Sequence, residues 1–213
     1  MALRLSPRSL FHSYLSELRT IQERAGGKQI NNLPYDLYLR DWNLYFFSKQ
    51  GTEKYNCSVY CNKFDRHKKV KKDLGNKYIG KEYLWDLCWF RENPDSLELV
   101  LEQECNSVLS GREKDEYSDA WQDFSKIMFA CAKSIRVFIG RSIPKNFDNV
   151  AEACADYYCK TTCCKENRGF LLILIHQART EIGDMKIGGW ELTKDGRAIL
   201  LKKENSINYS GWF

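Results

Sequence analysis

The most strongly apolar uninterrupted run in this chain of 213 residues, Phe170 to Ile175, is only strand-sized. Nothing approaches the roughly 20 apolar residues a membrane-spanning helix needs. The opening residues Met1-Ala2-Leu3-Arg4-Leu5 lack an extended apolar stretch after their charge, so no signal peptide is expected. A cytoplasmic protein with reduced thiols follows as the expectation. The sequence has no P-loop and no dinucleotide G-x-G-x-x-G fingerprint. Its three histidines, His12, His67 and His176, have no sequence partners that would suggest a Ser-His-Asp arrangement. Nine cysteines are present without one C-x2-C knuckle. Cys57 and Cys61 are four apart, and Cys154, Cys159, Cys163 and Cys164 share one stretch. That spacing argues against a zinc site and for free thiols on helices. Cys88, Cys105 and Cys131 sit inside apolar patterns and read as small core residues.

What is present suits a globular α/β domain. The hydrophobic fraction is 43%, and the 29% of charged residues mix both signs, which allows a large core without disulfides. Ser6 as cap, Pro7 at the first position and Gly26-Gly27 as a stop bound a first helix, Pro7 to Arg24, with Leu10, Tyr14, Leu18 and Ile21 as its apolar stripe. Tyr35 to Phe47 is aromatic-rich and fits either helix or strand. Two strands, Tyr83 to Phe90 and Leu97 to Glu104, flank the turn-rich Arg91 to Ser96 and suggest a hairpin. A helix over about 117–133, a strand at 135–139, a helix over about 147–159 and a strand at 170–175 come next. Two short strands, around 187–192 and 198–202, close on the turn Thr193-Lys194-Asp195-Gly196. Gly188-Gly189 beside Trp190 reads as a turn or bulge. One domain over 1–213 is expected, with a core at about 80–203 and an N-terminal helical extension at 1–50. The order implies a mixed sheet covered by helices.

Three acids stand out by position. Asp86 interrupts the otherwise apolar Tyr83 to Trp89, and Glu102 and Glu104 follow Leu97-Glu98-Leu99-Val100-Leu101. Strand side chains alternate, so Glu102 and Glu104 share a face. If the two strands pair, Asp86 comes to lie beside them. Converging carboxylates repel one another and lose hydration, and a hard divalent cation such as Mg²⁺ or Mn²⁺ relieves both costs. The same parity also fits the solvated face of an edge strand, with Asp86 capping a bulge.

At these residues the sequence resembles the PD-(D/E)xK nuclease superfamily. That resemblance, over about 80–140, implies a restriction-endonuclease-like core: a helix, a carboxylate-bearing hairpin, a second helix and further strands in a mixed central sheet. Asp86 matches the first acid of the motif and Glu102 the second, while Glu104 stands in the lysine slot, as it does in some restriction enzymes of the superfamily. Glu82 falls where members often supply an additional acid. Asp123-Phe124-Ser125-Lys126-Ile127 resembles a D-F-x-K-L pattern of the following helix, and Lys126 can substitute for the missing lysine. The implied activity is Mg²⁺- or Mn²⁺-dependent hydrolysis of DNA phosphodiesters. Asp86, Glu102, Glu104 and Glu82 form the metal set, with Glu104 as third ligand or water-orienting group.

From Asn62 to Lys81, eight Lys or Arg stand against Asp65 and Asp73, a net of +6 in a chain whose total is +5. Arg66, Lys68, Lys69, Lys71 and Lys72 form its dense centre and fit contact with a phosphate backbone. A solvated loop is the plain alternative, and few large apolar residues make a membrane surface unattractive. The expected partner is nucleic acid, DNA first, with room for a homodimer. Two other readings stay open: a nucleic-acid-binding or interaction protein that kept the fold without catalysis, and a zinc-stabilised interaction module built on the cysteine-rich stretch.

Overall fold

The computed structural model describes residues 5–26, 33–81, 84–91, 96–110, 119–130, 135–161, 169–176 and 184–208. Helix α1 (Pro7–Arg24) starts on a capping box in which the Ser6 and Ser9 side chains each accept the other's backbone N–H. Its buried stripe is Leu10, Phe11, Tyr14, Leu15, Leu18 and Ile21, at the spacing expected for a helix lying on a core. Helix α2 (Leu39–Lys49) resolves the ambiguity of the aromatic segment and runs into a π-helical turn, Gln50–Lys54. Strand β1 (Ser58–Tyr60), helix α3 (Lys68–Leu74) and strand β2 (Tyr78–Ile79) follow. The hairpin of β3 (Leu87–Phe90) and β4 (Leu97–Val108) leads through α4 (Asp119–Met128) to β5 (Ile135–Arg141). Helix α5 (Phe147–Thr161) then leads to β6 (Phe170–His176), and the chain ends in the hairpin of β7 (Asp184–Leu192) and β8 (Ala198–Asn208).

Among the described residues, all strands join one eight-stranded sheet in the order β2-β1-β3-β4-β5-β6-β7-β8. The β1–β2, β4–β5 and β5–β6 pairs are parallel, and the others are antiparallel. Side-chain alternation divides the core into two layers. Leu99, Leu101, Val137, Ile139, Leu171 and Ile173 face α1, α2 and α3, whereas Val100, Phe138, Leu172 and Leu174 face α4 and α5. The protein is therefore a mixed α/β sheet with helices on both faces. The segment expected as a helical extension supplies α1 and α2, whose apolar faces share a continuous core with the sheet.

Several expected boundaries move. The first hairpin strand begins at Leu87, not Tyr83, so Asp86 directly precedes it; the reason lies in its hydrogen bonds, given below. The last two strands are longer than expected, 184–192 and 198–208. Gly188 and Gly189 lie inside β7, next to a register irregularity between Gly189 and Trp190. A Cβ on Gly189 would come within 2.4 Å of the Phe11 ring of α1, so the bare backbone there is what lets α1 seat on the sheet. Sequence periodicity misses β1 and β2, which are only 3 and 2 residues long.

Candidate active site

The hairpin register pairs Leu87 with Leu101 and Cys88 with Val100. One step further, Asp86 stands opposite Glu102, and both share the sheet face of Cys88 and Val100. Here side chains replace the ladder. The Asp86 backbone N–H donates to Glu102 Oε2 at 3.3 Å, and the Gln103 backbone N–H donates to Asp86 Oδ2 at 2.9 Å. Strand β3 cannot extend back past Leu87 because the carboxylates have taken the groups that would pair.

Strand β4 continues beyond its partner, and Glu104 comes next on the same face. Its Oε1 accepts the Ser107 backbone N–H at 3.0 Å, across the irregularity in the β4–β5 register that follows Glu104. Helix α4 covers this face with a strongly amphipathic surface whose buried side is Ala120, Trp121, Phe124, Ile127 and Met128. From its flank Lys126 forms an ion pair with Glu102 Oε1. The Lys126 side chain is 47% exposed and the Glu102 side chain 3%. Glu102 Oε1 is otherwise buried without a hydrogen bond.

The electrostatics follow from burial and crowding. Burial, and then the charge of Asp86, push the Glu102 carboxyl up to about 8, against the pull of Lys126. One turn before Lys126, Asp123 is pushed up to about 6, chiefly by burial, with the charges of Glu104 and Asp86 adding to it. Burial opposes the charge on Lys126, but Glu102, Asp123 and Asp86 outweigh it, so the lysine holds its proton more tightly than usual. Several carboxyl groups thus crowd around one ammonium, and burial with this crowding favours a proton on Glu102 at neutral pH. Sequence reasoning places Asp123 in the D-F-x-K-L pattern but gives it no role in the site. Its signal is the i,i+3 spacing from Lys126 on one flank of an amphipathic helix.

Asp86, Glu102 and Lys126 are brought together, with Glu104 and Asp123 adjoining. Glu82 lies outside the described residues. Among the described residues, no three His, Cys, Asp or Glu side chains form a ready-made metal cage: Asp86 and Glu102 face each other while Glu104 turns to the Ser107 N–H. The basic run forms α3 and its lead-in, with His67 as N-cap accepting the Val70 N–H at 3.4 Å. Val70 and Leu74 anchor that helix, while Arg66, Lys68, Lys69, Lys71 and Lys72 are exposed. Its anchor residues belong to the core layer of α1 and α2, so α3 and the carboxylates lie on opposite faces of the sheet.

Cys57, Cys61, Cys88 and Cys154 are buried thiols, and Cys159 is exposed on α5. Burial raises Cys57 to about 11 and Cys61 to about 12, far from the thiolate state that binds metal. Cys131, Cys163 and Cys164 lie outside the described residues, as does the side chain of Cys105. No helix among the described residues is long and apolar enough to cross a membrane. Comparison with protein-family models, curated proteins and solved structures found no match to this chain.

Proposed function

We propose that the cluster around Asp86 and Glu102 is the active site of a divalent-metal-dependent phosphodiesterase acting on DNA, on a restriction-endonuclease-like core. The observation that carries this reading is the buried pairing of Asp86 with Glu102 across the hairpin, with Lys126 reaching Glu102 from α4. The order of helix, acid-bearing hairpin, crossover helix and parallel strand agrees with that core. The donor set fits a hard cation. It is all oxygen, and it carries more acid than base. Asp86 and Glu102 would hold the ion, with Glu104 or Asp123 completing the set after a side-chain rotation. When bound, such an ion lowers the pKa of a water and takes up charge from the phosphate. Lys126, half-exposed and released from Glu102, offers its ammonium to a scissile phosphate. The exposed lysines of α3 serve as an outlying contact to the nucleic-acid backbone.

The test is cleavage of single- and double-stranded DNA with Mg²⁺ or Mn²⁺. Wild type should cut, and Asp86→Ala and Glu102→Ala should not, while both variants stay folded by circular dichroism. Glu104→Lys restores the usual residue of the motif. Retained cleavage makes this position the lysine slot, and loss makes Glu104 a ligand or the water-orienting group. A binding protein without catalysis is the second reading, favoured by Glu104 in the lysine slot and by the engagement of Lys126 with Glu102. DNA binding without cleavage across substrates and metals would select it.

A further inference from the structure

Gln103 lies between the two glutamates, and its side chain points to the opposite face of the sheet from theirs. It is 3% exposed, and neighbouring Asn43 on α2 is fully buried. These are the large polar intrusions into the apolar layer beneath α1 and α2. They form one hydrogen-bonded chain. The Tyr14 hydroxyl of α1 donates to Asn43 Oδ1 at 2.8 Å, and Asn43 Nδ2 donates to Gln103 Oε1 at 3.4 Å. Gln103 Nε2 donates to the Arg40 carbonyl in the first turn of α2 at 3.0 Å. At its far end the same residue meets the carboxylates, since its backbone N–H donates to Asp86 Oδ2 at 2.9 Å.

Buried amides of this kind are costly unless fully engaged, because each unmet polar atom loses its hydration without return. A leucine at 103 and another at 43 would fill the same layer at less risk. What the polar pair provides is a fixed position. The side-chain amide of Gln103 is held at both its oxygen and its nitrogen, which adds to the β5 ladder on one side of β4 in fixing the backbone at 103. That backbone N–H is the one that holds Asp86, on a stretch of β4 that β3 does not reach.

We infer that Gln103 is a positioning residue for the carboxylate site: anchored through its side chain to Asn43, Tyr14 and the first turn of α2, it presents its backbone N–H so as to hold Asp86 in place opposite Glu102. This deepens the proposed function and rests on it for its catalytic consequence. Its structural content stands separately. The relay runs through the thickness of the sheet, so a change at Tyr14 or Asn43, on the face away from the carboxylates, should be felt at Asp86.

The test uses the full chain with ¹⁵N labelling and follows the backbone amide proton at position 103. In wild type this proton should lie downfield, as expected for donation to a carboxylate, and Asp86→Asn should move it upfield. Tyr14→Phe, Asn43→Leu and Gln103→Met should move it in the same direction, in increasing order. Gln103→Glu keeps an acceptor for Asn43 and should fall between Tyr14→Phe and Gln103→Met. If wild type cleaves DNA, Asn43→Leu and Gln103→Met should lower kcat by about 10- to 100-fold, as second-layer changes at metal sites do, with KM for DNA unchanged. An amide shift at 103 that responds to Asp86→Asn but is the same in wild type, Tyr14→Phe and Gln103→Met overturns the positioning role. Absence of cleavage in wild type removes the proposed reaction, and the amide series still decides the relay. Should Gln103→Met fail to fold, Tyr14→Phe, which deletes one hydroxyl, decides the question alone.

Discussion

Glu102→Gln tests the charge balance of the cluster directly. In the folded chain this carboxyl is pushed up to about 8 by burial and by Asp86, and its ordinary value is 4.5. Between those limits the folded state keeps a proton that the unfolded state releases. Because the unfolded chain binds fewer protons there, stability falls as pH rises through the window and levels off above it. At about 1.4 kcal/mol per pH unit, the interval sets a ceiling of about 5 kcal/mol on the loss. Lys126 does not alter the sign. Its own pKa is raised, so it stays charged throughout, and its contribution is constant over this range. Glutamine matches the shape of the protonated carboxyl and has no proton to release. In metal-free buffer the variant should therefore match wild type near pH 5 and exceed it progressively up to pH 8. Each kcal/mol should appear as roughly 2–4 °C in Tm for a chain of this size. Asp123, raised to about 6, leaves a shallower slope at the acid end in both proteins. Thermal unfolding by circular dichroism in half-unit pH steps measures the difference. Parallel curves for the two proteins from pH 5 to 8 would refute a proton-holding Glu102.

Other outcomes follow from the same structure. Replacing Lys68, Lys69, Lys71 and Lys72 by Ala should weaken DNA binding and flatten its salt dependence by about 0.9 in log–log slope for each phosphate that is no longer neutralised; an unchanged slope makes α3 a solvated face only. Arg136→Met should destabilise the fold by about 2–4 kcal/mol in urea titration, since the fully buried guanidinium donates from Nε to the Ala130 carbonyl at 3.0 Å and from Nη2 to that of Met128 at 3.4 Å. A loss under about 0.5 kcal/mol would mean that the end of α4 needs no such cap. Purified protein should carry no stoichiometric zinc by elemental analysis. Cys159→Ser, at an exposed position, should leave Tm unchanged, and zinc that is lost on that substitution would restore the interaction-module reading.

The sequence discloses most where a local rule and burial agree. Ser6, Pro7 and the 3.6-residue stripe define α1 because capping and amphipathicity both act within a few residues. The alternation around Asp86 and Glu102 reveals the hairpin and its acid-bearing face because each strand has a run of apolar neighbours to set its parity. What stays hidden depends on partners distant in sequence. The polarity of Asn43 and Gln103 has meaning only once α2 is laid over β4. Asp123 joins the cluster only because α4 packs its flank against Glu104. Strands β1 and β2 are too short to show a period, and they exist because β3 offers β1 an edge and β1 in turn offers one to β2. The basic run resembles a loop in its charge alone, and two apolar residues, Val70 and Leu74, make it a helix.

The seat of α1 sets a timetable for folding. Its Phe11 ring rests over Gly189 in β7, and its Arg19 is ion-paired with Glu204 in β8. Part of the apolar stripe of a helix formed from residues 7–24 is thus covered by strands that end at residue 208. During synthesis at about 5–20 residues per second, that part stays open to solvent for on the order of ten seconds or more before β6 to β8 arrive. Contacts so far apart in sequence close slowly, because the loop entropy is lost before any packing is gained. Helix α2 meets the Tyr14 side of the stripe early, through Trp42, Phe46 and Phe47, so an early intermediate should expose chiefly the Phe11 side, and the docking of the final hairpin is the event that removes this sticky surface.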